Sequence, residues 1–289
     1  MLVPVVICKP VAPPAEAGAA GHAVPAAHTL EYVLQMLTWY ETAVLCVAPT
    51  AAHPAVARAL QAQQLEGHML LADTAGTTAA LALAATHLHR LGLDPLMLIC
   101  PDNLPLREAA SIAQAVRQAE PAAQAGAIVA MGMLPSLAGP VVLGARIDPG
   151  AARHDGSRAV ACFDPHTPAQ GTAAHTDMGY SLCNTGLYLA RASVLLEALT
   201  RHTPTTVQAC QTALNACPQH SAGGHVTLWP HAQALQAGSH PSFETAVLAR
   251  HQPLAVVGLH ATWVGHPTAN RLCGSPGGVP VAASASCPF

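Results

Sequence analysis

Charge is scarce in this chain. Asp, Glu, Lys and Arg make up only 9% of its 289 residues, against roughly 25% in an average globular domain. Lys9 is the single lysine, and the formal net charge is −3. No basic patch is available to hold a polyphosphate backbone, which excludes nucleic acid as a partner. Paired cysteines are also lacking. Nine are scattered along the chain, an odd number with no Cys-x-x-Cys pair, which argues for reduced thiols in a cytoplasmic protein rather than a disulfide framework. No basic region precedes the apolar run Met1-Leu2-Val3-Pro4-Val5-Val6-Ile7-Cys8, so it does not read as a secretory signal. The uncharged stretch from Ala125 to Ala145 is broken by Gly126, Gly132, Pro135, Gly139 and Pro140. It suits two strands and a turn better than a membrane span, so no membrane partner is expected. Ser136, Ser181 and Ser193 have no Gly-x-Ser-x-Gly elbow around them, which leaves a hydrolase triad without support.

What is present is a repeated alternation of strand and helix. Val3–Cys8, Ala43–Ala48, His68–Leu71 and Pro95–Cys100 are apolar runs of strand length. Between them lie a helix carrying Leu30, Val33, Leu34 and Leu37 behind Thr29 as N-cap, one opened by Pro54, and an Ala- and Leu-rich one from Thr77 to Leu91. A further helix is expected from Arg107 to about Glu120. Strand and helix in this order with short links predict a parallel sheet with helices on both faces. The second half mixes its signals. Val141–Ile147, Ala159–Phe163, Tyr180–Leu189 and Pro253–Leu259 read as strands, Ala192–Arg201 and Thr205–Cys217 as helices. The expected fold is therefore α/β, a Rossmann-like mixed and mainly parallel sheet, in one domain over residues 1–272 with an unstructured tail at 273–289.

Within this pattern, Pro95-Leu96-Met97-Leu98-Ile99-Cys100 runs into Pro101-Asp102-Asn103. A continuous apolar run fits a strand covered on both faces, and ligands of open α/β sheets sit beyond the carboxyl ends of the strands. Asp102 stands at that point, although the same tripeptide fits a plain turn. The 17 histidines offer no metal site by spacing. His87 and His89 are two apart on a helix and face different ways. His220, His225 and His231 fall in a Gly-rich loop without Cys or carboxylate at ligand spacing, so all read as polar surface residues.

Several segments resemble the bacterial mannose-1-phosphate guanylyltransferases, sugar-nucleotide pyrophosphorylases of nucleotide-diphospho-sugar transferase type. His68-Met69-Leu70-Leu71-Ala72-Asp73-Thr74-Ala75-Gly76-Thr77-Thr78-Ala79 is similar to that family's Leu-Leu-Glu-Pro-x-Gly-Arg-Asn-Thr-Ala-Pro-Ala, and Pro101-Asp102-Asn103 to its Ala-Asp-His. Asn184-Thr185-Gly186-Leu187-Tyr188-Leu189 is similar to Asn-Ser-Gly-Met-Phe-Leu, Ser242-Phe243-Glu244 to Ser-Ile-Asp, and Ala261-Thr262-Trp263 to Ala-Gly-Trp. The resemblance implies that Asp102 binds catalytic Mg2+. It places Gly76 and Thr77 at the nucleotide, Asn184, Glu244 and Asp164 at the sugar, and Lys9 at the phosphates. The implied partners are a nucleoside triphosphate or nucleotide sugar and a sugar 1-phosphate.

The departures concern phosphate handling. Where the family has Gly-Gly-x-Gly-x-Arg-Leu, this chain has Lys9-Pro10-Val11-Ala12-Pro13-Pro14. Prolines donate no N–H and the Arg is missing. Gly265 stands where the family has its second metal Asp, Ala75-Gly76 replaces Arg-Asn, and Phe163-Asp164-Pro165 replaces Glu-Lys-Pro without its lysine. Each lost donor is worth a rate factor of about 100 or more. The expectation is a divergent nucleotidyltransferase with weakened or lost catalysis. The alternative is a non-catalytic nucleotide-sugar-binding regulatory or scaffold homologue, self-associated or paired with an active relative.

Overall fold

The computed structural model describes residues 1–9, 26–74, 76–102, 104, 109–134, 145–168, 175–176, 179–215, 217–236 and 242–260. The first half follows the expected alternation: β1 (Leu2–Ile7), α1 (Ala26–Leu37), β2 (Val44–Ala48), α2 (His53–Ala62), β3 (Gly67–Leu71), α3 (Thr77–Arg90), β4 (Leu96–Pro101), α4 (Ala109–Gln124) and β5 (Ile128–Met133). The second half adds β6 (Ala145–Ala152), β7 (Arg158–Pro168), the short pair β8 (His175–Thr176) and β9 (Gly179–Tyr180), then β10 (Leu182–Arg191), α5 (Ala192–His202) and α6 (Pro204–Ala213). It closes with β11 (Gln219–Ala222), β12 (His225–Leu228), the single turn α7 (Ala232–Leu235), a π-helical turn Glu244–Leu248 and β13 (Leu254–Gly258).

Eleven strands form one sheet in the order β11-β12-β3-β2-β1-β4-β10-β5-β13-β7-β6. The pairs from β12 to β4 are parallel, as is β5 with β13, whereas β10 enters antiparallel between β4 and β5. The fold is α/β with a mixed, mainly parallel sheet, and β1 and β4 lie side by side at its middle. One face buries Val6, Cys46, Leu98 and Leu187 against α1, α2 and α4. The other buries Val5, Ile99 and Tyr188 against α3, α5 and α6. This two-sided burial is why β1, β2 and β4 read as unbroken apolar runs.

Asp94, just before β4, ties the two halves together. Its Oδ1 accepts the Ser193 amide N–H at 2.8 Å and its Oδ2 the Arg191 Nε–H at 3.0 Å. The carboxylate thus caps the first turn of α5 from a distant stretch of chain. Partial burial works against the charge, but the Ser193 amide, the Arg191 guanidinium and the Ser193 hydroxyl hold Asp94 below the usual carboxylate range.

Four expectations about the elements need correction. Thr29 lies inside α1 instead of capping it, because the helix starts at Ala26. α4 does not stop at Glu120 but continues through Pro121, with Ala125 N–H donating to the Pro121 carbonyl at 3.0 Å. The helix expected to reach Cys217 ends at Ala213. The Gly-rich loop holding His220 and His225 is a hairpin, β11–β12, whose turn uses Gly223 and Gly224 at φ of 58° and 79°. Glycine takes such angles at no steric cost. The segments 10–25, 135–144 and 261–289, with Gly265 and the expected tail, lie outside the described residues. No helix among the described residues is long and apolar enough to cross a membrane.

His87 is also not a surface residue. It is 6% exposed, and its Nε2 lies 2.9 Å from His68 Nδ1, joining α3 to β3. Burial, then the neighbouring His68 and Arg90, push His87 down to about 4. A histidine kept neutral in the fold contributes stability above its unfolded value of about 6.5, lost as pH falls through that value toward the folded one. Urea unfolding should therefore show stability dropping between about pH 6.5 and pH 4, by up to about 3 kcal/mol from this group. His87→Leu should flatten that slope, and an unchanged slope would assign it to other groups.

Candidate active-site cleft

The carboxyl ends of β1 and β4 are in register, Ile7 opposite Pro101. Over them, on the α3 side of the sheet, lies a cleft of about 400 Å³. Ile7, Ile99 and Leu81 form its floor, and Lys9, Thr77, Asn184, Tyr188 and Glu244 supply its polar groups. Thr77 is the first residue of α3, so the positive end of the helix dipole faces the opening and favours an anion there.

Asp102 sits beside this cleft rather than in its lining. Its N–H donates to the Ile7 carbonyl at 3.2 Å, and its Oδ2 accepts the Lys9 backbone N–H at 3.0 Å. β1 and β4 are thereby joined one step past their last paired residues. Burial raises the Asp102 carboxyl, against the opposing pull of the Lys9 N–H and the Lys9 charge. The Cys8 thiol is pushed up by burial and by the neighbouring Cys46 and Asp102, so it stays protonated and is not a nucleophile.

On the opposite wall, the Asn184-Thr185-Gly186 bend is held from below. Thr185 Oγ1 donates to the Met131 carbonyl at 2.8 Å and accepts the Leu187 N–H at 3.3 Å. Gly186 takes a φ of 80°, and a Cβ there would stand 3.4 Å from the Pro101 ring. This bend is the register shift between Asn184 and Tyr188 where β10 pairs with β5. Ser242, Phe243 and Glu244 complete the wall. Ser242 Oγ accepts the Thr245 N–H at 3.3 Å, holding the start of the π-helical turn.

Of the residues singled out in the sequence, Lys9, Thr77, Asn184 and Glu244 meet in the cleft. Asp102, Gly76 and Asp164 are each one residue from a lining position, beside Pro101, Thr77 and Pro165. Gly76 precedes α3 and accepts the Ala80 N–H at 3.3 Å. Asp164 Oδ1 accepts the His166 N–H at 2.9 Å within β7. Tyr188 escaped the sequence reading. Its only signal was polarity, a tyrosine where the resembled family carries phenylalanine.

The chemistry of a divalent cation fits these residues only in a limited way. No group of three or more His, Cys, Asp or Glu among the described residues could hold a metal. Magnesium keeps several waters and uses one or two carboxylates alongside phosphate oxygens. Asp102 could supply one such carboxylate, with water and phosphate oxygens making up the rest.

No family model matches the chain. Among curated proteins, the mannose-1-phosphate guanylyltransferase of Escherichia coli is 30% identical over 207 residues, 70% of this chain and 43% of that protein. The sequence match supports the sugar nucleotidyltransferase family. This chain spans half or less of the length of the curated relatives it matches first. Two solved structures share the fold. The crystal structure of mannose-6-phosphate isomerase from Helicobacter pylori has a TM-score of 0.71 at 17% identity, covering 91% of this chain and 99% of that one. That of a protein titled mannose-1-phosphate geranyltransferase, from Thermus thermophilus, has a TM-score of 0.66 at 17% identity, covering 91% and 75%. At such identity these two likenesses concern the fold alone.

Proposed function

We propose that the chain is a divergent sugar-1-phosphate nucleotidyltransferase, taking a nucleoside triphosphate and a sugar 1-phosphate, with GTP and mannose 1-phosphate as the first pair to try. The observation that carries the reading is the convergence of Lys9, Thr77, Asn184 and Glu244 on one cleft. These residues come from segments that resemble the nucleotide side and the sugar side of one family. In the proposed reaction the sugar phosphate oxygen attacks the α-phosphorus of the triphosphate, the α–β phosphoanhydride bond breaks, and pyrophosphate leaves.

In this reading Gly76 and Thr77 border the nucleotide, the α3 N-terminus and Lys9 attract its phosphates, and Asn184, Glu244 and Asp164 serve the sugar. Asp102 would hold Mg2+, which when bound would neutralise phosphate charge. Turnover is expected to be weak, because Lys9 is the one cation among the described lining residues and transition-state charge needs several donors. A second reading, a non-catalytic nucleotide-sugar-binding homologue, is favoured by one observation. The Lys9 amide, a candidate phosphate donor at the end of β1, is already committed to Asp102 Oδ2.

The test is calorimetric titration of the full chain with GTP, mannose 1-phosphate and GDP-mannose, with and without Mg2+, alongside pyrophosphate release. Micromolar binding with slow, Mg2+-dependent pyrophosphate release supports the first reading. Binding without release supports the second. No binding of any of the three ligands removes both.

A further inference from the structure

The Tyr188 hydroxyl stands between two side chains already assigned to the sugar side. Its ring is 3% exposed and meets Phe243 edge-on, with centroids 5.5 Å apart. The hydroxyl donates to Glu244 Oε1 at 3.1 Å and accepts from Asn184 Nδ2 at 2.6 Å. A phenol has one proton to give, and an ionised carboxylate can only accept. The proton therefore goes to Glu244, and Asn184 must turn its NH2 group toward Tyr188. The amide oxygen is left near the Gly186 N–H, at 3.3 Å. Donation runs in one direction, from Asn184 through Tyr188 to Glu244. Burial, together with the Glu244 charge, holds the phenol proton in place by raising Tyr188 well above its ordinary value.

This order dictates what the wall can take. With Oε1 engaged, Glu244 offers its remaining acceptor capacity, so a ligand group meeting it must bring an O–H or N–H. A phosphate brings neither and is repelled by the carboxylate. Lys9, in the same cleft, has the opposite preference. A single-rotamer wall of this kind is expensive to leave unpaired once buried, so a ligand lacking the matching hydroxyl is penalised.

We propose that Tyr188 is a positioning residue. It locks Glu244 and Asn184 so that this wall receives the hydroxyl groups of a hexose ring and turns the phosphate end of the ligand toward Lys9. The proposal rests on the sugar-phosphate reading above and goes further, by giving the ligand a direction in the cleft and naming the group that sets it. Phenylalanine at 188 keeps the ring against Phe243 but removes the hydroxyl through which the three side chains are ordered.

The experiment is calorimetric titration of the wild-type chain and Tyr188→Phe with mannose 1-phosphate, its 2-, 3- and 4-deoxy analogues, and GTP. Tyr188→Phe should weaken mannose 1-phosphate about tenfold and leave GTP within about twofold. It should also erase most of the penalty that the wild type imposes on at least one deoxy analogue. That last readout separates positioning from general damage, which would weaken every ligand alike. Unchanged affinity and discrimination in Tyr188→Phe would overturn the proposal and leave the sugar-phosphate reading standing, as would equal losses for GTP and mannose 1-phosphate. A wild type without affinity for mannose 1-phosphate would remove both. Should Tyr188→Phe lack a cooperative melting transition, Glu244→Gln takes its place, since it keeps an acceptor for Tyr188 and exchanges the other carboxylate oxygen for a donor. It should weaken mannose 1-phosphate about tenfold, and unchanged affinity would overturn the proposal.

Discussion

Pyrophosphate release from GTP and mannose 1-phosphate should rise about a hundredfold or more when two changes are made together. The first is Gly265→Asp. The second replaces residues 8–14 with a Gly-rich, Arg-bearing loop. Each addresses a different deficit of the sequence. Where the resembled family has its Gly-rich, Arg-bearing loop, the sequence reads Lys9-Pro10-Val11-Ala12-Pro13-Pro14, and prolines have no N–H to aim at developing charge. A cation shared by two carboxylates keeps its remaining positions for phosphate and water, whereas Asp102 alone would give it one fixed ligand. Gly265→Asp by itself should tighten Mg2+ binding and leave turnover low. The loop alone should help the nucleotide bind with little gain in rate. Together they act on one transition state, so the joint effect should exceed the product of the separate ones. Rapid turnover by the wild type would show instead that Lys9 and the α3 N-terminus suffice.

The parts of the fold that could be read from sequence are those whose cause is local. β1, β2 and β4 are buried on both faces and appear as apolar runs. α2 could be placed because Pro54 opens it and Val56, Ala59 and Leu60 repeat at helical spacing and are buried. The hairpin β11–β12 could not be recognised by that route. Every residue of β11 is exposed, so no apolar alternation marks it, and β12 is stabilised by parallel pairing with β3, more than 150 residues earlier in the chain. The usable signal was the Gly223-Gly224 pair between two short runs. The antiparallel entry of β10 between β4 and β5 is likewise non-local, and nothing within residues 182–191 announces it. At the cleft, Asp102 was visible as the end of a strand. Asn184 and Glu244 were visible only through resemblance, because 60 positions separate them in the chain. Tyr188 was hidden because a tyrosine in a strand is ordinarily read as core.

Gly132→Val should destabilise the fold by more than about 3 kcal/mol, beyond the usual range for overpacking, and should take the cleft with it. Gly132 lies in β5 between β10 and β13, opposite Asn184 on one side and Gly258 on the other. A Cβ at this position would stand 2.8 Å from both Leu182 Cβ and Cδ1, and 3.3 Å from Val256 Cγ2. Leu182 Cβ is fixed to the β10 backbone, so it cannot swing aside as a chain end could. Relief requires β10 to move away from β5, and β10 carries the Asn184–Tyr188 bend that forms one wall of the cleft. The Gly132 carbonyl also accepts the Leu259 N–H at 2.8 Å, so displacement would cost that bond too. Gly132→Ala should lose about 1–3 kcal/mol. Gly258→Ala is the control, since its Cβ would find nothing nearer than His260 Nε2 at 3.7 Å, and it should stay within about 1 kcal/mol of wild type. Urea unfolding of the three variants measures the series, and titration with mannose 1-phosphate shows whether the wall survives in Gly132→Ala. Equal stability of Gly132→Ala and Gly258→Ala would mean that β10 yields without cost, and that the bend is held by Thr185 and Gly186 instead of by the close approach to β5.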